Sequence, residues 1–140
     1  MLALVRPGGV VALQEPEAAS WNCYPSRPAF RRLVSAIQDT YAEAGGDLNA
    51  GRRTFGLLNR LGLADVQVRA ALVACTGQDR RPFRNTLLHQ VQLMRKSILD
   101  GDILTQPELD EAVAEVRQAL DDPASLVLSY TVTQVWGRKR

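Results

Sequence analysis

The hydrophobic pattern changes period several times along the chain, and its first segment is an unbroken apolar run at residues 10–13. The tripeptide Pro-Gly-Gly at residues 7–9 precedes this run, and a polar cluster follows it. Proline restricts φ and glycine can adopt positive φ, so the tripeptide predicts a tight turn. A short apolar run without polar alternation is typical of a strand buried on both faces, as in a parallel sheet. We therefore predict a strand over residues 9–14.

Helical spacing of apolar residues follows in four places. It predicts helices over residues 28–44, 50–61, 82–99 and 106–120. Ser26 and Asn49 stand just before the first two helices and are expected to cap them. Thr105 and Glu108 have the spacing of a capping box at the start of the fourth helix. Glycines follow three of the helices, where a left-handed residue ends a helix.

Two further segments have the pattern of strands, over residues 65–75 and 125–136. The second of them carries serine and threonine on one face, which favours an antiparallel strand over one buried in a parallel sheet. The order is therefore strand, two helices, strand, two helices and strand. This order predicts the α/β class.

Composition and charge limit the protein to a single ordinary domain. The chain has 140 residues, of which 46% are hydrophobic and 23% charged, with a net charge of +2. This charge is too small to indicate a nucleic-acid partner. Basic clusters at Arg80–Arg81 and at residues 138–140 are typical of solvent-exposed surface.

Cysteine content and hydropathy indicate the compartment. Cys23 and Cys75 are far apart in sequence, and two cysteines in a domain of this size suggest a reducing compartment. We expect no signal peptide, because residues 1–13 contain Pro-Gly-Gly and no small-residue cleavage site. No apolar run has the length of a membrane span. A cytoplasmic protein is therefore the default expectation.

Three segments together resemble the C-terminal half of a class I S-adenosylmethionine-dependent methyltransferase. LVRPGGVVALQEPE is similar to the segment around the fifth strand of that family. GRRTFGLLNRLGLADVQVR is similar to its last helix and sixth strand, and SLVLSYTVTQVWGRK to its seventh, antiparallel strand. The resemblance covers residues 1–140 as one partial domain.

The resemblance implies a Rossmann-like sheet, methyl transfer to a small molecule and S-adenosylmethionine as cofactor. It implies that the first strand lies next to the last, and the last next to the middle one. It implies further that the helices between strands cover the substrate as a lid. The family binds its cofactor through a glycine-rich loop in the N-terminal half, and GxGxG is absent from this sequence. Cofactor-binding residues are therefore assigned to no position here, and we expect that half on another segment or a separate chain.

The residues after the first predicted strand are candidates for a substrate site, because ligands of open α/β sheets bind at the carboxyl ends of strands. The proposed substrate-binding residues are Gln14, Glu15, Trp21, Asn22 and Tyr24. Glu15 is a candidate polar contact or base, and the aromatic residues are candidate walls. The same residues also fit a second interpretation, in which Glu15 and Glu17 are solvated carboxylates and Trp21 is a hydrophobic plug.

Three further residues carry chemistry that could serve a site. His89 is the only histidine and lies on a predicted lid helix, where it is a candidate base or a merely packed or exposed side chain. Arg52 and Arg53 near a helix N-terminus could hold an anionic substrate, or could be ordinary exposed arginines. One histidine and two distant cysteines predict no metal site.

Two functions remain open at this point. The chain is the substrate-side portion of a methyltransferase and inactive by itself, or it is a non-catalytic module that binds itself or a partner through an exposed sheet edge. In both cases the first strand would be an edge strand with unpaired backbone groups. We therefore expect the isolated chain to dimerise, to pair with another polypeptide such as the missing N-terminal half, or to aggregate.

Overall fold

Helices and strands alternate in the computed structural model, which describes residues 2–79 and 82–140 and has the predicted mixed α/β class. The helices of this described part are α1 (Pro28–Glu43), α2 (Gly51–Arg60), α3 (Thr86–Asp100) and α4 (Gln106–Asp121). Its strands are β1 (Val10–Glu17), β2 (Asn22–Tyr24), β3 (Ala64–Ala71), β4 (Ala74–Thr76), β5 (Leu126–Leu128) and β6 (Thr131–Arg138). Short 3₁₀ segments lie at Leu2–Leu4, Ala18–Ser20 and Pro82–Asn85. The basic pair Arg80–Arg81 lies outside the described residues.

The predicted turn before β1 is confirmed. Gly8 adopts φ +76°, and the Gly9 N–H donates to the Arg6 carbonyl at 3.0 Å. Pro7 and Gly8 therefore occupy the two central positions of a turn that requires positive φ at the second. The Gly8 N–H also donates to the Lys139 carbonyl at 2.8 Å, which joins the turn to the end of β6.

The capping box of α4 is confirmed. The backbone N–H of Thr105 donates to Glu108 Oε2 at 2.9 Å, and the Thr105 hydroxyl donates to the same oxygen at 2.6 Å. These bonds to the ionised form lower the pKa of Glu108, and the hydroxyl bond is the largest cause.

The caps predicted for α1 and α2 are wrong. The cap position lies one residue later than predicted, at Arg27 for α1 and at Ala50 for α2, and neither residue makes a side-chain cap bond. Asn49 Oδ1 instead accepts the backbone N–H of Ala19 at 2.8 Å. Ser26 Oγ accepts Arg31 Nη1 at 2.9 Å. Each side-chain oxygen therefore accepts a hydrogen bond from a donor that the spacing of a helix cap does not predict.

Two three-stranded antiparallel sheets replace the single sheet that was expected. The first sheet has the order β1-β6-β3 and the second the order β2-β5-β4. In each sheet the central strand is antiparallel to both neighbours. The predicted continuous strands over 65–75 and 125–136 are therefore wrong, because both break, at residues 72–73 and 129–130.

Serine hydroxyls occupy the break between the two sheets. The backbone N–H of Val73 donates to Ser129 Oγ at 2.8 Å, and that of Thr131 donates to Ser20 Oγ at 2.7 Å. Side-chain oxygens thus replace the carbonyls that a continuous ladder would supply. Because these groups stay satisfied, the strands can change direction there without leaving a buried donor unpaired.

The hydrophobic interior is divided in two. The larger cluster lies among α1, α3, α4 and the second sheet, with Phe30, Leu33 and Ile98 at its centre. The smaller one joins α2 to one face of the first sheet and contains Val11, Leu58, Leu63 and Val135. In the described chain, α2 is the only helix that packs substantially on that sheet.

Burial of β1 on both faces is a wrong prediction. Val11 is 4% exposed and packs towards α2, whereas its neighbour Val10 is 52% exposed. Ala12 and Gln14 share the exposed face with Val10. The reason is tertiary: α2 covers one face of the first sheet, and no helix of the described residues packs substantially on the opposite face, called the open face below.

Cys23 and Cys75 are both free thiols. Both are register partners of Val127, so they lie on the same face of the second sheet with β5 between them. Two strand spacings, about 10 Å, exceed the span of a disulfide. Burial raises the pKa of the Cys23 thiol.

No helix among the described residues is long and apolar enough to cross a bilayer.

Candidate substrate-binding site

Two hollows lie on either side of Tyr130, where the first sheet gives way to the second. One has a volume of about 160 Å³ and the other about 210 Å³. Tyr130 lines both of them. It lies within the strand break, where Ser129 Oγ donates to the Tyr130 carbonyl at 3.0 Å. The break therefore determines where this aromatic ring stands.

Both hollows lie at the carboxyl ends of β1 and β3. Pro16, near the end of β1, and Ala71, the last residue of β3, are both register partners of Val132. These three residues lie on the open face and line the hollows. Proline is tolerated at this position because β1 is an edge strand in the described chain.

The larger hollow is mostly apolar. It is lined by Ala71, Leu72, Val73, Phe83, Thr86, Ser129, Tyr130 and Val132. Leu72 is 49% exposed and Phe83 is 54% exposed, so its rim is unusually apolar for a surface. The hydroxyls of Thr86 and Ser129 are its polar groups besides Tyr130. It contains no carboxylate, imidazole or amine in the described chain, so it can hold and orient an apolar molecule but offers no general base.

Trp21 is the predicted site residue that lies closest to this arrangement. It is 7% exposed and its ring meets Tyr130 edge to face, with 5.1 Å between centroids and 75° between planes. It lines the smaller hollow, together with Ile37 and Tyr41 of α1. Such a pair adds about 1 kcal/mol beyond the area it buries. Trp21 therefore packs against the ring of Tyr130 and helps to fix its position.

Gln14 and Glu15 lie on opposite faces of the first sheet. Gln14 faces the open side, where its Oε1 accepts Gln134 Nε2 at 2.6 Å. Glu15 faces α2, in a shallow depression that it shares with Arg53 and Arg60. The two residues are therefore not brought together, because side chains alternate along a strand.

Asn22 and Tyr24 lie on the outer face of β2, beside Leu128 and Leu126. Tyr24 is 70% exposed. Asn22 Oδ1 accepts the backbone N–H of Cys23 at 2.8 Å. Neither residue lines a hollow beside Tyr130.

Glu17 and Arg52 form an ion pair. Glu17 Oε1 accepts Arg52 Nε at 2.8 Å, and Glu17 Oε2 accepts the backbone N–H of Arg52 at 3.1 Å. The carboxylate therefore satisfies an N-terminal donor of α2 that Ala50 cannot satisfy. The side-chain bond from Arg52 is the main cause that lowers the pKa of Glu17. Arg53 forms a separate ion pair with Asp47.

His89 lies on α3, on the side turned away from the hollows. It is exposed and lines a cleft between α3 and α4. Its neighbour Gln90 lines the smaller hollow. Glu15 and His89, the two candidate bases, are therefore in different places, and neither is in the site beside Tyr130.

No family model matches the chain, and no curated protein sequence is significantly similar to it. Among the described residues no three histidine, cysteine, aspartate or glutamate side chains are grouped so that they could hold a metal ion. The geometry of the site therefore carries the functional argument.

Sequence reasoning missed Tyr130, Leu72 and Phe83 as site residues. Tyr130 and Leu72 lie within segments predicted as continuous strands, and Phe83 within a predicted helix. No local signal marks the break, because Ser129 lies in a segment that already contains other serine and threonine residues. Its role depends on Val73, 56 positions away in sequence.

Proposed function

We propose that these residues form the substrate-side portion of a methyltransferase that transfers a methyl group from S-adenosylmethionine to a small molecule. The observation that carries the proposal is the strand order β1-β6-β3. Strand β6 is antiparallel to both neighbours, so β1 and β3 run parallel to each other. The resemblance implies this order and these directions for the fifth, seventh and sixth strands of the family.

The position of the hollows supports a substrate role. They lie at the carboxyl ends of the two parallel strands, which is where ligands of open α/β sheets bind. Tyr130 is the wall between them, Trp21 supports it, and Phe83 forms part of the rim. A largely apolar molecule with a polar group at one end fits this lining. The residues orient the acceptor and exclude water from it, which are the contributions a methyltransferase makes besides binding its cofactor.

S-adenosylmethionine supplies an electrophilic methyl group when it is bound, but no described residues fit it. In this part of the chain, β1 leads into a 3₁₀ segment and β3 into β4, and neither leads through glycines into a helix N-terminus. Gly8 and Gly9 precede a strand and do not form such a loop. The proposal therefore assigns substrate binding to these residues and cofactor binding to others.

Binding of an aromatic probe tests the substrate site. We expect 2-naphthol to shift the amide resonances of residues 71–73, 86 and 129–132 in the isotope-labelled chain. Phe83→Ala should weaken binding about fivefold, because it removes an exposed aromatic contact without disturbing the core. Phe55→Ala on α2, where the ring is 43% exposed, is the matched control and should leave the affinity unchanged. Shifts confined to another surface would contradict the site.

Calorimetry and a methyl-transfer assay test whether these residues bind substrate but not the cofactor. We expect S-adenosylmethionine to give no saturable heat with this chain, and transfer of tritiated methyl groups to 2-naphthol to stay at background. Tight cofactor binding by these residues would contradict the assignment.

A second candidate function is self-association through the open edge of β1. This strand has one hydrogen-bonded neighbour in the described chain, and its open face carries Val10, Ala12 and Gln14. Those side chains carry no charge, so a two-fold copy could pair β1 with β1 without like charges opposing each other on that face. Light scattering tests this: a stable monomer at micromolar concentration contradicts it.

A further inference from the structure

The cleft between α3 and α4 is a concave surface separate from the two hollows. It has a volume of about 380 Å³, and none of its lining residues lines either hollow. Its apolar floor is formed by Leu88, Val91, Val113 and Leu120. This size lies in the range of small-molecule sites.

Ion pairs occupy both ends of this cleft. Near the α3–α4 connection, Arg95 Nη2 lies 2.6 Å from Asp110 Oδ1. At the other end, Arg84 Nη2 lies 3.5 Å from Asp121 Oδ1. Arg84 Nη1 also donates to the Gly77 carbonyl at 2.6 Å. The positive charge at each end is therefore matched by a carboxylate.

The middle of the cleft is different. Arg117 on α4 and His89 on α3 both line it, both are exposed, and neither has an ion-pair partner within the described residues. By sequence position each lies between the two ion pairs, and Gln92 adds an amide on the same side of α3. The middle of the cleft therefore has a positive charge, that of Arg117, which no carboxylate of the described residues neutralises and which lies beside the apolar side chains of the cleft.

We propose that this cleft binds a small amphiphilic anion. The carboxylate or phosphate head contacts Arg117, His89 and Gln92, and the apolar body lies on Val113 and Leu88. An extended polyanion such as nucleic acid fits less well, because it requires a stripe of unmatched cations and the two ends are already neutral. The proposal does not depend on methyl transfer or on the hollows beside Tyr130.

Titration of the isotope-labelled full chain with decanoate tests the proposal. We expect saturable shifts of amides on the facing sides of α3 and α4. Decanamide, which has the same body and no charge, should bind about tenfold more weakly, and acetate, which has the head alone, should not saturate. Arg117→Gln should weaken decanoate binding about tenfold. Arg60→Gln, on the last turn of α2, removes the same charge elsewhere and should have no effect.

Three results would overturn the proposal. Equal affinity for decanoate and decanamide would show that the charge is not recognised. Unchanged affinity of Arg117→Gln would show that this residue does not hold the head. Shifts of the wild-type chain confined to residues around Tyr130 would place the probe in the other site, and this readout does not depend on any variant being folded.

Discussion

The helical part and the first sheet differ in how they bury their apolar residues. The larger cluster encloses fifteen buried side chains among three helices and the second sheet, whereas the cluster under α2 has four. Helices that pack against one another on several sides can enclose a hydrophobic core by themselves. A sheet needs a layer on each face, and within the described chain the first sheet has a layer on one. The open face is therefore the part of this molecule that a partner would stabilise most.

The largest expected effect comes from removing matched leucines in the two clusters. Leu33 and Leu58 are both 0% exposed. We expect Leu33→Ala to lower the free energy of unfolding by about 4 kcal/mol and Leu58→Ala by about 2.5 kcal/mol, since the smaller cluster can collapse more easily around the lost volume. Urea denaturation measures both values. Equal losses would remove the distinction between the two clusters.

Hydrogen exchange sharpens the same contrast. Amides of α1 and α4 should exchange only with global unfolding, whereas those of β1 and β3 should exchange through local opening. Leu58→Ala should accelerate the exchange of amides in β1 and β3 and leave the amides of α1 and α4 protected. Acceleration of both regions together would show that they unfold as one unit.

The next effect concerns the close approach of α2 to the sheet. A Cβ at Gly51 would lie 2.9 Å from Thr133 Oγ1 and 3.0 Å from the Pro16 carbonyl oxygen. We expect Gly51→Ala to destabilise by about 1–2 kcal/mol, because the helix must move away from a backbone atom. Gly56→Ala in the same helix meets only the flexible end of Arg60 and should stabilise by about 0.5–1 kcal/mol. Thermal unfolding compares the two variants. Equal effects of the two substitutions would contradict this packing.

A smaller effect is expected where β1 meets α2. Glu17→Gln removes the charge that Arg52 holds and should destabilise by about 1 kcal/mol at neutral pH. The folded pKa of Glu17 lies below its ordinary value, so its contribution is present above the unfolded pKa and is lost as pH falls through the folded pKa. The difference between wild type and variant should therefore shrink below about pH 4. Chemical denaturation at several pH values measures it, and a constant difference would contradict the ion pair.

The smallest effect on stability is expected on the open face. Val10→Lys replaces a half-exposed side chain at an edge strand and should change the free energy of unfolding by less than about 0.5 kcal/mol. It should nevertheless reduce any self-association, because an edge lysine opposes strand pairing. Light scattering at increasing concentration separates these readouts. Association that is unaffected would place the interface elsewhere.

Local signals located the helices well. Periodic apolar residues predicted α1, α2 and α4 to within one residue at each end, and the capping box at Thr105 was found from two residues alone. The third helix begins at Thr86, later than predicted, because a 3₁₀ segment precedes it. These features depend on neighbours within a few positions, so the sequence carries them directly.

The candidate site was less accessible from the sequence. Spacing alone grouped Gln14, Glu15 and Trp21, but alternation along β1 separates the first two and only Trp21 adjoins Tyr130. Tyr130 lies in the site because the strand breaks there, and the break depends on the Ser129 hydroxyl, which accepts the backbone N–H of Val73. No local pattern distinguishes such a serine from one on an unbroken strand.

The amino-acid sequence by itself determined the class, the helices, the turn at Gly8 and the set of three strand-forming segments. Periodicity, capping and backbone restriction act over a few residues, which is why these could be predicted. Only the tertiary structure decided that two of the three segments divide between two sheets, that β1 has one buried face, and that Glu17 caps α2. Those outcomes depend on which distant groups satisfy each donor and cover each face, and such pairings are determined when the chain packs.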